Sequence, residues 1–219
     1  MSQICFQWIE PCRSERLKVA QEKLLESIHT LGLEPVLYPA GPEMVRFVDI
    51  LRFARERAKG GSFVWCNSDV TLVRNPYDVL QAGDDGETVH GFHRTEIPSG
   101  EICGGVDMYL IPCRAWDEWL GVNPPDLWCG ATHIDWWLTR AAALRGCYQS
   151  HFGYIDHLTH PESPASKGGN ALYRHNIREY NKWARLSCAG RFEKRVSLPL
   201  VGESLSPISD LIKKVSGNR

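Results

Sequence analysis

The sequence lacks the features that indicate a nucleic-acid-binding or membrane-spanning protein. Its 25 lysines and arginines are matched by 26 acidic residues, and the formal net charge of −1 offers no bulk basicity to a polyanion. No apolar run approaches the length of about 20 residues that crosses a bilayer, and the first residues do not have a secretory layout. We therefore expect no nucleic-acid partner and no transmembrane segment.

Paired cysteine motifs are missing as well. The eight cysteines include no C-x-x-C pair, which is the spacing typical of zinc and redox sites. Several cysteines lie within apolar runs, which favours small buried side chains in a reducing compartment over a disulfide framework. We therefore predict a cytoplasmic location.

Glycine-rich phosphate loops are also absent. The glycine pairs at 104–105 and 168–169 fit neither G-x-G-x-x-G nor G-x-x-x-x-G-K-[ST]. The order of residues does not indicate a Ser-His-Asp or Cys-His arrangement either. Neither kind of motif therefore guides the assignment of function.

What the chain does contain is an alternation of strands and helices. Strand patterns at 3–10, 35–39 and 63–66 are separated by amphipathic patterns at 13–31 and 43–59. This order predicts an α/β fold with a mixed, mainly parallel sheet flanked by helices. Later segments add predicted strands in TVHGF, GGVDMYLIP and CYQSHFGYIDHLTH, and predicted helices in THIDWWLTRAAALRG and GGNALYRHNIREYNKWARLS. We predict one domain over 1–189 and a C-terminal extension over 190–219.

Three polar residues follow the buried strand pattern at 63–66: Asn67, Ser68 and Asp69. In open α/β sheets, ligands bind beyond the carboxyl ends of the strands. Oxygen ligands there suit a hard cation, and an ion held by one or two protein groups keeps its other positions for water or phosphate. The segment therefore suggests a metal–diphosphate site, with an Asx-type turn as the alternative.

The wider pattern resembles the GT-A-fold glycosyltransferases. WCNSDVTLVRNPYD is similar to their D-x-D region, in a variant whose first acid is asparagine. Further segments resemble later GT-A motifs in the same order along residues 1 to 185: GFHRTEIP, GGVDMYLIP, WCGATHIDWWL and IDHLTHP. The shared order is a stronger signal than any one motif.

This resemblance implies a site for a nucleotide-sugar donor. Asp69 would bind Mn²⁺ or Mg²⁺, which would hold the donor diphosphate, and Asn67 would contact the ribose or a metal-bound water. Arg94 would contact phosphate or sugar, and Gly105 would lie in the strand that shapes the site. Asp49 would meet the nucleotide. The alternatives are an Arg94–Glu96 salt bridge and a solvated helix face for Asp49.

The late histidine segment would complete the metal site. His157 and His160 are three apart, so in a strand they would point to opposite faces, and spacing does not choose between them. Histidine suits Mn²⁺ better than Mg²⁺, so a late histidine ligand favours Mn²⁺. The alternative is a pair of ordinary hydrogen-bonded histidines.

Two acids compete for the role of catalytic base. Asp135 lies in the first turn of a predicted helix, where an acid also favours the positive helix end. Asp107 follows paired glycines in a predicted strand. A carboxylate near the acceptor hydroxyl would take its proton as the hydroxyl attacks the sugar.

The sequence thus predicts a metal-dependent glycosyltransferase that moves a sugar from a nucleotide-diphosphate donor to a glycan or another hydroxyl acceptor. Two alternatives stay open. One is a nucleotidyltransferase-like enzyme, although the segment after the first strand lacks the glycine-rich loop expected there. The other is a non-catalytic nucleotide-sugar-binding domain, for which Asn67 in place of an acid is the argument.

Overall fold

A computed structural model describes residues 2–9, 14–40, 45–80, 86–130, 133–158 and 171–189. Within these residues seven strands form one sheet in the order β2-β1-β3-β6-β5-β7-β4. The strands are β1 (Gln3–Ile9), β2 (Glu34–Ala40), β3 (Ser62–Cys66), β4 (Val70–Leu72), β5 (Val89–Ile97), β6 (Ile102–Pro112) and β7 (Tyr148–Leu158).

The sheet is mixed, with five of its seven strands pointing the same way. Strand β1 pairs in parallel with β2 and β3, and β5 pairs in parallel with β7. The exceptions are β6, which runs antiparallel between β3 and β5, and the edge strand β4, antiparallel to β7. The predicted α/β class with a mixed, mainly parallel sheet is confirmed.

Helices cover the sheet where the amphipathic patterns predicted them. They are α1 (Glu15–Thr30), α2 (Phe47–Arg57), the short turn α3 (Cys113–Ala115), α4 (Ile134–Leu144) and α5 (Ala171–Ala189). The Ser14 hydroxyl caps α1 by accepting from the Leu17 amide at 3.2 Å. A π-helical turn at Trp116–Leu120, which periodicity does not predict, follows α3.

Each face of the sheet has its own core because side chains alternate along the strands. Trp65 and Tyr109 face a cluster with α2 and α4, whereas their neighbours Val64 and Met108 face α1. All four are at most 2% exposed, which anchors β3 and β6 firmly in the sheet centre.

Chain length forces the sheet to curl. Strands β3 and β4 are separated by residues 67–69 alone, although β6, β5 and β7 lie between them in the sheet. Four steps across a flat sheet would take about 19 Å. Four residues of extended chain from Cys66 to Val70 reach at most roughly 14 Å. The far strands must therefore bend back, so that the loop 67–69 faces β5 and β7.

No helix among the described residues is long and apolar enough to cross a membrane. The predicted extension at 190–219 lies outside the described residues, so the division into domain and extension stays a prediction.

Candidate active site

Asn67 and Asp69 lie at the carboxyl end of β3, where the sequence predicted a ligand site. The Asn67 amide donates to the Asp107 carbonyl at 2.8 Å, and its side-chain amide donates to the Asp107 carboxylate. Asn67 is therefore fixed against β6. Asp69 lies two residues further along the same loop, directly before β4.

Strand register brings His157 to Asp69. Strand β7 lies between β4 and β5, and His157 is paired with Val70 on one side and Glu96 on the other. Its Nε2 lies 3.5 Å from Asp69 Oδ2, and its Nδ1 lies 2.9 Å from Glu96 Oε2. One imidazole thus joins two carboxylates that are far apart in the chain.

Arg94 connects Glu96, the partner of His157, to Asp107. Its Nε donates to Glu96 Oε1 at 2.6 Å, and its Nη1 donates to Asp107 Oδ2 at 2.8 Å. The result is a continuous polar chain across five strands, which we call the rim network. Its members, in strand order from β3 to β4, are Asn67, Asp107, Arg94, Glu96, His157 and Asp69.

The rim network carries more negative than positive charge. When its three carboxylates are ionised, they face one guanidinium and one imidazole, so the balance is negative whichever protonation state the imidazole has. Burial raises the pKa of Asp107, and Arg94 offsets part of that rise. The interaction with Asp69 raises the pKa of His157, against the opposing effect of burial and with further support from Glu96. A bound cation would relieve this imbalance.

The residues present fit a cation with few protein ligands. Two ligand atoms that each bind one ion at about 2.1 Å, at angles between 90° and 110°, lie roughly 3.0–3.5 Å apart. The separation of 3.5 Å between His157 Nε2 and Asp69 Oδ2 falls within that range. The described residues contain no cluster of three or more His, Cys, Asp or Glu arranged for a metal. Water or phosphate would therefore complete the coordination sphere.

Asp135 lies in the first turn of α4, close to the rim network. Its pKa is raised to about 7, first by burial and then by the charge of Asp107. Tyr109 holds this end of α4, because its hydroxyl donates to the Asp135 carbonyl at 2.7 Å and lies 2.7 Å from the Thr139 hydroxyl. The preceding His133 is in the left-handed region at φ 81°, which is uncommon for a side chain other than glycine.

The two proposed bases differ in how their oxygens are used. Asp107 accepts from Asn67 on one oxygen and from Arg94 on the other. A carboxylate held in this way is suited to orient its neighbours. Asp135 has a pKa near neutrality, which is where a general base works best.

Three other predicted site residues lie apart from the rim network or outside the described residues. Asp49 is paired with Arg52 at 3.4 Å on an exposed part of α2. Gly105 is in β6, where an added Cβ would meet the Cys103 sulfur at 3.8 Å, an ordinary contact. His160 lies outside the described residues. The roles of all three stay predictions.

Sequence reasoning missed Glu96, which it treated as a surface partner of Arg94. The Glu96 side chain is only 15% exposed and contacts both Arg94 and His157. The contact with His157 depends on the pairing of β5 with β7, which local sequence does not specify. The only available signal was its position, two residues after Arg94 in one predicted strand pattern.

Solved structures share this fold. The catalytic domain of β1,4-galactosyltransferase 7 from Drosophila, in complex with xylobiose, aligns with 82% of this chain and 81% of its own, at a TM-score of 0.50 and 9% identity. The chain has the fold of a glycosyltransferase catalytic domain. No protein-family model matches the chain, and no curated protein matches it either.

Two further structures are similar at lower scores. A mutant of the same Drosophila enzyme, in complex with manganese, UDP-Gal and xylobiose, aligns with 89% of this chain and 82% of its own, with a TM-score of 0.47 and 7% identity. A glycosyltransferase involved in the glycosylation of the major capsid of PBCV-1 aligns with 74% of this chain and 95% of its own, with a TM-score of 0.45 and 12% identity.

Proposed function

We propose that this protein is a glycosyltransferase that moves a sugar from a nucleotide-diphosphate donor to a hydroxyl acceptor and depends on Mn²⁺. One observation carries the proposal. His157 Nε2 and Asp69 Oδ2 lie 3.5 Å apart, in a carboxylate-rich network at the carboxyl end of β3. The shared glycosyltransferase fold supports the same reading, because ligands of open α/β sheets bind at this end.

Asp69 and His157 would hold the cation, with Asp69 offering a carboxylate oxygen and His157 its Nε2. The mixed oxygen and nitrogen set favours Mn²⁺ over Mg²⁺. The bound ion would neutralise the diphosphate and make it a better leaving group. Asn67 is held against Asp107 at the same loop, where it would contact the ribose or a metal-bound water.

Arg94 and Asp135 would act on the sugar and the acceptor. Arg94 uses its Nε and Nη1 on Glu96 and Asp107, and its Nη2 would donate to a phosphate or sugar oxygen. Asp135 would accept the proton of the attacking hydroxyl once that carboxylate is ionised, which requires a pH above about 7. Asp107 would orient Asn67 and Arg94.

A thermal-shift and calorimetry panel tests the proposal. The protein is mixed with uridine, guanosine or cytidine diphosphate, with and without Mn²⁺. We expect one nucleotide to raise the melting temperature only when Mn²⁺ is present. A Kd 100-fold below the ligand concentration stabilises by about 2.7 kcal/mol, which the method detects easily.

Asp69→Asn is the matched variant, because it keeps the shape of the side chain and removes its charge. It should abolish the Mn²⁺-dependent shift and reduce turnover of the matching nucleotide sugar by at least about 100-fold. If Mn²⁺ gives no shift with any nucleotide, metal-dependent catalysis fails. If the shift occurs but no nucleotide sugar is consumed with any acceptor, a non-catalytic binding domain is the better account.

A further inference from the structure

Glu96 contacts both Arg94 and His157 in the rim network. Its Oε1 accepts from Arg94 Nε at 2.6 Å, and its Oε2 lies 2.9 Å from His157 Nδ1. These contacts follow from the register of the parallel strands, since Glu96 and His157 are direct partners in the β5–β7 pair. Neither side chain is freely exposed, at 15% and 5%.

We propose that Glu96 is a positioning residue that sets the tautomer of His157. This inference rests on the proposed function, because it concerns the histidine that would hold the cation. A neutral His157 has one ring proton for two carboxylates that only accept hydrogen bonds, Glu96 at Nδ1 and Asp69 at Nε2. The Glu96 contact of 2.9 Å is a good hydrogen-bond distance, whereas the 3.5 Å to Asp69 is long, so the ring proton of His157 lies on Nδ1. Its Nε2 then presents a lone pair towards Asp69, which is the form that binds a metal.

Arg94 makes this arrangement specific. Its Nε holds one oxygen of Glu96, so the carboxylate cannot rotate away and the second oxygen stays directed at His157. The same guanidinium is anchored on its other side, because its Nη1 reaches Asp107 at 2.8 Å. Glu96 on β5 thus fixes the orientation of the His157 ring on β7.

The substitution Glu96→Gln gives a sharp test because Arg94 would orient the new amide. The Arg94 Nε requires an acceptor, so the amide oxygen would take the place of Oε1. The amide nitrogen would then face His157 Nδ1, and because it is a donor it requires Nδ1 to be unprotonated. The ring proton would move to Nε2, which removes the lone pair that faces Asp69.

The first readout is the tautomer itself, measured without metal. Ring ¹⁵N chemical shifts of His157 are recorded at alkaline pH, where the ring is neutral. We expect the Nδ1-protonated tautomer in the wild type and the Nε2-protonated tautomer in Glu96→Gln. Glu96→Ala should give a mixture, since it removes the acceptor without adding a donor. Glu101→Gln is the matched control, because Glu101 is an exposed residue of the same hairpin and should leave His157 unchanged.

The second readout is the affinity for Mn²⁺, measured from the signal of the free ion by electron paramagnetic resonance. Loss of such a carboxylate partner typically weakens metal binding by 10- to 100-fold, and we expect that loss in Glu96→Gln but not in Glu101→Gln. A wild-type ring protonated on Nε2, or an unchanged tautomer in Glu96→Gln, overturns the positioning role. An absence of Mn²⁺ binding in the wild type instead overturns the proposed function, and the metal-free tautomers still decide the role of Glu96.

Discussion

Two sets of ion pairs in this molecule use the same groups in different surroundings. On the outer surface, Arg55 of α2 makes two parallel hydrogen bonds to Asp117, at 3.1 and 2.7 Å. In the rim network, Arg94 divides its donors between Glu96 and Asp107. The Asp117 side chain is 51% exposed, whereas that of Asp107 is 9% exposed.

The two sets differ in how much charge they leave without a partner of opposite sign. The surface pair is electrically balanced, and water solvates whatever its geometry leaves open. In the rim network, one guanidinium is shared by two largely buried acids, and a third acid, Asp69, is paired with His157. Buried excess charge is costly unless a ligand offsets it, so function is the simplest reason to keep it.

The largest effect on stability is expected from Arg94→Gln. This change leaves the buried carboxylate of Asp107 without its cationic partner, which typically costs about 3–5 kcal/mol. Urea unfolding at neutral pH measures the loss as a lower midpoint with an unchanged slope.

The matched change at the surface is Arg55→Gln. It should cost less than about 1 kcal/mol, because exposed ion pairs contribute little. Equal losses for the two variants would show that burial does not distinguish the rim network from the surface pair.

A pH-dependent effect on stability is expected from Asp135→Asn. In the folded protein the Asp135 pKa is raised to about 7, above its ordinary value of 3.8, so ionisation disfavours the fold. The stability contributed by the protonated form is present below pH 3.8 and is lost as the pH rises through about 7. The asparagine variant should therefore melt higher than the wild type at pH 8, and the difference should shrink towards pH 5.

The same variant tests the catalytic role of Asp135. Turnover by the wild type should rise with pH to a plateau above about 7, as Asp135 ionises. Asp135→Asn should lose most of the activity together with this rise. A pH profile that keeps the same shape in the variant would assign the base to another group.

The smallest effect is expected from Gly105→Ala. The added Cβ meets only the Cys103 sulfur, at 3.8 Å, so the melting temperature should change by no more than about a degree. If this strand shapes the donor site, as the family resemblance implies, nucleotide-sugar affinity should fall while stability is kept. Calorimetric titration measures the affinity separately from the melting temperature, and an unchanged affinity would remove Gly105 from the donor site.

Local sequence predicted much of the fold because its signals are local. Helix α1 shows apolar residues at helical spacing and begins at a serine cap, and β3 ends where its apolar run meets Asn67. The position of Asp69 at a ligand-binding edge follows from these two facts and the general behaviour of α/β sheets.

The rest depended on pairings between distant segments. The contact between Asp69 and His157 requires the short strand β4 to cross to the far edge of the sheet. Spacing alone gave no preference between His157 and His160, and the role of Glu96 appears only once β5 pairs with β7. The π-helical turn at Trp116–Leu120 departs from the periodicity of about 3.6 residues by which helices are predicted from sequence.

The central claim is that Asp69 and His157 bind one Mn²⁺ together with the donor diphosphate. Electron spin echo envelope modulation of the Mn²⁺-loaded protein measures it directly, because nitrogen and phosphorus nuclei bound near the ion modulate the echo. With the preferred nucleoside diphosphate, we predict both nitrogen and phosphorus couplings, and the loss of the nitrogen coupling in His157→Gln. A phosphorus coupling without nitrogen in the wild type, or a nitrogen coupling that persists in His157→Gln, would contradict the account.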